Sequence, residues 1–267
     1  MEVIKAAQVF RSENDATVFS HTRILYRDDR DIFCATIRSR LGANQQPNLQ
    51  QFENVQRIPL DAYQPVAPPG SLLAGSIEGT YVKIPNLTTF DGDQAIATSM
   101  LEELKTCELI HTKPHPYLAT YYGCALDSGR IVGLCFQRHP QTLMDMVNPR
   151  GLNKSMFMKA EELKPCRERA ARYLPLLEIG IRHLHSLKRI HNDINPANIM
   201  VTADGIPVII DFGSSRDPGT DLADVGRTHG WFDAGVSKSV ESNDFDALEE
   251  MRIWLTGSSA DDYQFKE

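Results

Sequence analysis

The chain has 267 residues, 42% of them hydrophobic and 24% charged, with a formal net charge of −7. That is enough apolar material for one large domain or two lobes, and a negative balance without a Lys/Arg run argues against nucleic acid or an anionic membrane as main partner. No apolar stretch approaches the ~20 residues of a membrane span, the N-terminus turns charged too early for a secretory signal, and scattered cysteines without a close pair point to reduced thiols in the cytoplasm and away from a zinc site.

Residues 1–50 alternate enough for two or three strands around polar turns, and 42–52, GANQQPNLQQF, reads as a loop or linker. From 54 to 74 the chain carries Pro59, Pro65, Pro68 and Pro69, so strands there must be short. GTYVKIP at 79–85 reads as a strand stopped by Pro85. Residues 93–110 have helical periodicity through Ile96, Met100, Leu101, Leu104, Cys107 and Leu109. PYLATYYGCAL and RIVGLCFQ form two strands joined at Asp127-Ser128-Gly129. A long helix is expected over 160–186, with an apolar face through Leu174, Leu177, Ile181 and Leu184. Ile199, Met200 and Val201 then lead through a turn at Ala203-Asp204-Gly205 to Val208, Ile209 and Ile210. A hairpin brings its outer ends together, so Asp193 and Asn198 before it and Asp211 after it should converge.

At these residues the chain resembles the protein kinase fold. Kinases carry a loop H-R-D-x-x-x-x-N followed by D-F-G; here stand His191-Asn192-Asp193, then Asn198, then Asp211-Phe212-Gly213. Tyr81-Val82-Lys83-Ile84 is similar to the strand that carries the kinase lysine. Glu103, with Glu102 as the alternative, matches the helix glutamate paired with that lysine. HPYLATYYGC at 115–124 and NDFDALEEMRIWL at 243–255 resemble the strand after that helix and the helix ending the activation segment. The phrases YVKIPNL, GRIVGLCF, GIRHLHSL and HNDINPANIMV are similar to those of fungal protein kinase-like proteins. The resemblance covers roughly 54–256.

The resemblance implies an α+β, bilobal fold, with a mainly β small lobe and a shortened, mainly helical large lobe. Residues 1–52 would be a β-rich extension, 53–138 the small lobe and 139–267 the large lobe. It implies ATP and Mg²⁺ as cofactors and a protein or small-molecule hydroxyl as acceptor. Asp193 would accept the acceptor's proton, and Asn198 and Asp211 would supply hard oxygen ligands to Mg²⁺. Lys83 would hold phosphate and Glu103 would hold Lys83; ATP contacts are also implied for Tyr81, Gln137, Arg138 and His139. His191 and Phe212 read as residues that pack the loop.

The chain departs from the kinase pattern at four places. No G-x-G-x-x-G precedes Lys83; Gly70, Gly75 and Gly79 fall at other spacings. Tyr81 stands where a small residue usually covers adenine, on the same strand face as Lys83. Asn192 replaces the arginine that anchors a phosphorylated activation loop, and Asn195 replaces the loop lysine of serine/threonine kinases. The sequence ends soon after Trp254, and A-P-E is missing between Trp231 and Glu241. Three functions therefore stay open: a protein kinase acting on Ser/Thr, a small-molecule kinase of aminoglycoside or choline kinase type, and a pseudokinase scaffold.

Overall fold

The computed structural model describes residues 1–13, 16–42 and 45–265. The polar turn expected near residues 14 and 15 and part of the 42–52 loop lie outside them. In chain order the elements are β1 (Glu2–Glu13), β2 (Ala16–Asp28), β3 (Asp31–Ile37), β4 (Glu53–Ile58), β5 (Tyr81–Lys83), α1 (Ala95–Thr112), β6 (Tyr121–Asp127) and β7 (Arg130–Phe136). They continue with β8 (Gln141–Thr142), α2 (Leu143–Val147), α3 (Lys154–Lys159), α4 (Lys164–Ala170), α5 (Leu174–Ser186), β9 (Ile199–Val201), β10 (Pro207–Ile209) and α6 (Glu241–Thr256). Two compact units contain them. One comprises 1–67, 84–100 and 127–132; the other comprises 68–83, 101–126 and 133–267.

The first unit is built on the antiparallel sheet β1-β2-β3-β4. Strand alternation sends Leu25, with Cys34 and Ile58, to one face, where Ala62, Tyr63 and Phe90 cover them. It sends Ile24 and Tyr26, with Ala35 and Ile37, to the other, against Phe33, Leu41 and Phe52. The middle of β2 is therefore buried on both sides, which erases the polar half of the alternation in its sequence. Register pairs Leu25 with Cys34 and Ile32 with Ile58, so the sheet continues through β4 until Pro59 ends it.

The second unit holds most of the sheet β5-β7-β6, the small sheet β10-β9-β8 and most of the helices. Gly123 shows why one glycine is needed in β6: its φ is +121°, and a Cβ there would lie 2.5 Å from the Ala74 nitrogen. That close approach lets Cys124 exchange backbone hydrogen bonds with Leu72 and Ala74, adding residues 72–74 beside β6. Ile181, Leu184, Ile190, Ile199, Ile209, Phe212 and Met251 are fully buried around the polar loop. Trp254 stacks on Phe157 at 4.3 Å and meets Trp231 edge-on at 5.7 Å.

The single helix expected over 160–186 is instead two α-helices, each preceded by a 3-10 turn. A 3-10 turn at 161–163 leads into α4, and another at 171–173 separates α4 from α5. Pro165 and Pro175 each fall in the first turn of the next α-helix. A proline has no N–H for the preceding turn and its ring crowds the carbonyl there, so the ladder restarts at each one. The apolar stripe survives in α5, where Leu177, Ile181 and Leu184 are buried.

Candidate active site

The loop between α5 and β9 is shaped by one acid that comes from far along the chain. Asp244, in the first turn of α6, is entirely buried. Its carboxylate accepts the backbone N–H of His191 at 2.8 Å and of Asn192 at 2.7 Å, and bonds His185 Nε2 at 2.7 Å. Asn192 takes a φ of +64°, a left-handed conformation that asparagine tolerates better than most residues. Its buried side chain donates to the carbonyls of Ile190 and Ser214 and to Ser239 Oγ, and accepts from Asn243. The amide that replaces the expected arginine thus stitches the loop to the segment after Asp211. His191 is fully buried, with Nε2 against the Ile210 carbonyl and Phe212 edge-on to its ring.

Asp193 and Asn198 meet directly. Asn198 Nδ2 donates to both the carbonyl and Oδ2 of Asp193 at 2.9 Å, which leaves its own Oδ1 as the remaining acceptor. The N–H of Thr228 donates to Asp193 Oδ1 at 2.7 Å and its hydroxyl to Oδ2 at 3.1 Å. Asn195 ties the same group together, donating to the Asp193 carbonyl and to Thr228 Oγ1. Burial raises the Asp193 carboxyl above the ordinary aspartate value; the Thr228 N–H opposes the shift and the Asp211 charge adds to it. The Ile210 N–H donates to the Asn198 carbonyl at 3.0 Å and closes the hairpin ends together.

Lys83, delivered by β5, has its ammonium 2.7 Å from both oxygens of Glu103 and 2.7 Å from Asp211 Oδ1. Burial alone would lower its pKa, but the two carboxylates outweigh it and hold the ammonium well above the ordinary lysine range. Burial also pushes the Glu103 carboxyl up, against the pull of Lys83. Asp211 is the reverse case: burial would raise it, and Lys83 with the Gly213 N–H hold it below the usual range. Glu103 also accepts the Phe212 N–H at 3.2 Å. Of the two acids considered on α1, Glu103 reaches Lys83, while Glu102 pairs with Arg189 at 3.1 Å.

Tyr81 lies two residues before Lys83 on the same strand face and is 52% exposed. Gly75, Ser76, Glu78, Gly79 and Thr80 line an open depression with Tyr122. Gln137 donates its N–H to the Thr120 carbonyl, and Arg138 reaches the Thr80 carbonyl at 3.0 Å. Burial lowers the His139 pKa. Among the described residues there is no cluster of three or more His, Cys, Asp or Glu side chains that could hold a metal ion. The hard oxygens of Asn198 and Asp211 suit Mg²⁺, which keeps few protein ligands and completes its shell with waters and substrate phosphates.

Sequence reasoning missed Asp244, Arg189 and the contact of Thr228 with Asp193. Asp244 carried one weak signal, an acid at the start of an otherwise readable helix.

Comparison with known proteins identifies the family. The family model described as protein kinase domain matches residues 81–233. Serine/threonine-protein kinase crk1 of Schizosaccharomyces pombe is 40% identical over 48 residues, covering 18% of this chain and 14% of that protein. Stress-activated protein kinase JNK of Drosophila melanogaster is 54% identical over 41 residues, covering 15% and 11%. Among solved structures, the yeast RNA Pol II CTD kinase CTDK-1 complex matches with a TM-score of 0.44 and 19% identity, over 61% of this chain and 51% of that one. The chain thus spans only a small part of the two relatives' lengths. With the domain match running from Tyr81 to Asp233, over more than half of its length, the chain belongs to the protein kinase domain family.

Proposed function

We propose that this chain is an ATP- and Mg²⁺-dependent phosphotransferase that moves the γ-phosphoryl group to a Ser/Thr hydroxyl of a protein. The observation that carries this reading is Lys83 bonded at once to Glu103 and Asp211, each at 2.7 Å. A cation held between a buried acid and an acid of the metal pair is set where phosphate charge must be met. When bound, Mg²⁺ neutralises the phosphate oxygens. Asp193 orients the acceptor hydroxyl and takes its proton as the new P–O bond forms and the bond from the γ-phosphorus to the β–γ bridging oxygen breaks, leaving ADP. Asn198 holds Asp193, and its Oδ1 with the Asp211 carboxylate would hold the metal. The half-exposed ring of Tyr81 would stack on adenine, and Gln137, Arg138 and His139, which follow β7 in the chain, would contact the nucleotide. In this reading residues 1–52 are an extension whose sheet continues through β4, 53–138 the small lobe and 139–267 the large lobe. The fungal wording of the loop and the scattered free thiols support a fungal, cytoplasmic kinase-like protein.

The second reading is a pseudokinase scaffold, and the segment before Lys83 favours it. Prolines at 65, 68 and 69 leave no continuous row of N–H donors for phosphate. Thermal shift separates the two. A ligand that binds only the folded state raises its melting temperature by mass action. Mg-ATP should therefore raise the melting temperature, and Asp211→Asn should remove the Mg²⁺-dependent part. No shift at millimolar ATP would place the chain with the scaffolds.

A further inference from the structure

Arg189 is a fully buried cation that the mechanism above does not use. Its Nη1 donates to Asp217 Oδ1 at 3.0 Å; its Nη2 donates to Glu102 Oε2 at 3.1 Å and to the Ser215 carbonyl at 2.6 Å. Lys105, one turn along α1 from Glu102, adds a second cation to Asp217 at 2.6 Å. Beside it, Ile190 and Arg216 exchange backbone hydrogen bonds at 2.9 and 3.0 Å. A buried guanidinium needs its charge met, and here the partners of its two terminal nitrogens come from α1 and from the segment after Asp211-Phe212-Gly213, while Nε has none among the described residues.

We propose that Arg189 is a positioning residue for phosphoryl transfer. It fixes the rotation of α1 from inside the chain and so presents Glu103 to Lys83. Neighbouring residues of a helix point about 100° apart, so α1 cannot turn Glu103 away from Lys83 without pulling Glu102 off Arg189. The same guanidinium holds Ser215 and Asp217, so the position of α1 and the order of the segment after Asp211 are one event. The anions that set it, Glu102 and Asp217, are built into the chain. This rests on the phosphotransferase reading for its consequence and on geometry alone for the clamp.

The test uses the full chain and the two partly exposed acids, because a change at Arg189 itself could prevent folding. Glu102→Gln, Asp217→Asn and the double variant are compared with wild type. The first readout is the rate at which Lys83 is acylated by an amine-reactive ester, read by peptide mass spectrometry against exposed Lys159. In the double variant Lys83 should react about tenfold faster, the size of one lost charge-assisted bond. The second readout is kcat per folded molecule, which should fall about tenfold with the acceptor KM unchanged. The singles should not combine additively, since both act through one guanidinium. Unchanged Lys83 reactivity overturns the clamp, as does a lowered melting temperature with kcat intact. A wild type that neither binds nor turns over ATP strikes the phosphotransferase reading, and the acylation result then decides the clamp by itself.

Discussion

Replacing Asp244, which braces the catalytic loop from α6, should cost more stability than any single change within that loop. Its carboxylate is fully buried and receives three hydrogen bonds, two of them from backbone N–H groups that have no water to turn to. Bonds to a charged group are worth roughly 1.5–3 kcal/mol each, but they are not additive. Removing one partner of a buried charged cluster costs about 3–5 kcal/mol, and that is the loss expected for Asp244→Ala. Asp244→Asn keeps the volume and one accepting oxygen, so a loss of about 1–3 kcal/mol is expected. Against a total of about 5–15 kcal/mol, the alanine variant should be marginal. Urea denaturation with a constant slope reads both numbers. An alanine variant within ~0.5 kcal/mol of wild type, the range of ordinary surface changes, would refute the clamp.

Three further outcomes follow from the same geometry. The reaction needs ionised Asp193, whose folded pKa is raised by burial, so kcat/KM should fall as pH drops through a value above that of an ordinary aspartate. An acid limb at or below the ordinary aspartate value would contradict that. Tyr81→Ala should weaken Mg-ATP binding roughly 3- to 10-fold if the ring stacks on adenine, as a calorimetric titration would report; tighter binding would mean that the ring plugs the site. Phosphatase treatment of active protein should leave its rate unchanged, because Asn192 already joins Ser214 and Ser239 without a phosphate. A large loss traced to Ser214, Ser215, Thr220 or Thr228 would overturn this.

What could be read from the sequence was what is local in it. His191 to Asp211 spans a loop and a two-strand hairpin, so spacing alone places Asp193, Asn198 and Asp211 together. Lys83 and Glu103 needed the family resemblance, because a lysine in a strand and two adjacent glutamates have no spacing that singles them out. Asp244 lies 53 residues from His191, and nothing local distinguishes it from a solvated helix-start acid. Arg189 sits in a Lys-Arg pair that reads as surface, yet only Lys188 turns outward. The sheet β1–β4 was half legible because β2 is buried on both faces, and the helix over 160–186 was drawn unbroken because its apolar period runs through two prolines that reset the hydrogen bonds.

The central claim is phosphoryl transfer that depends on Asp193. Purified chain is incubated with γ-labelled ATP and Mg²⁺, and label released or transferred to Ser/Thr is followed for wild type and Asp193→Asn. A positioned general base contributes about 10²- to 10⁴-fold, so the variant should lose at least about a hundredfold while still binding Mg-ATP. Equal rates in the two proteins, or a wild type with neither turnover nor ATP binding, would contradict the account.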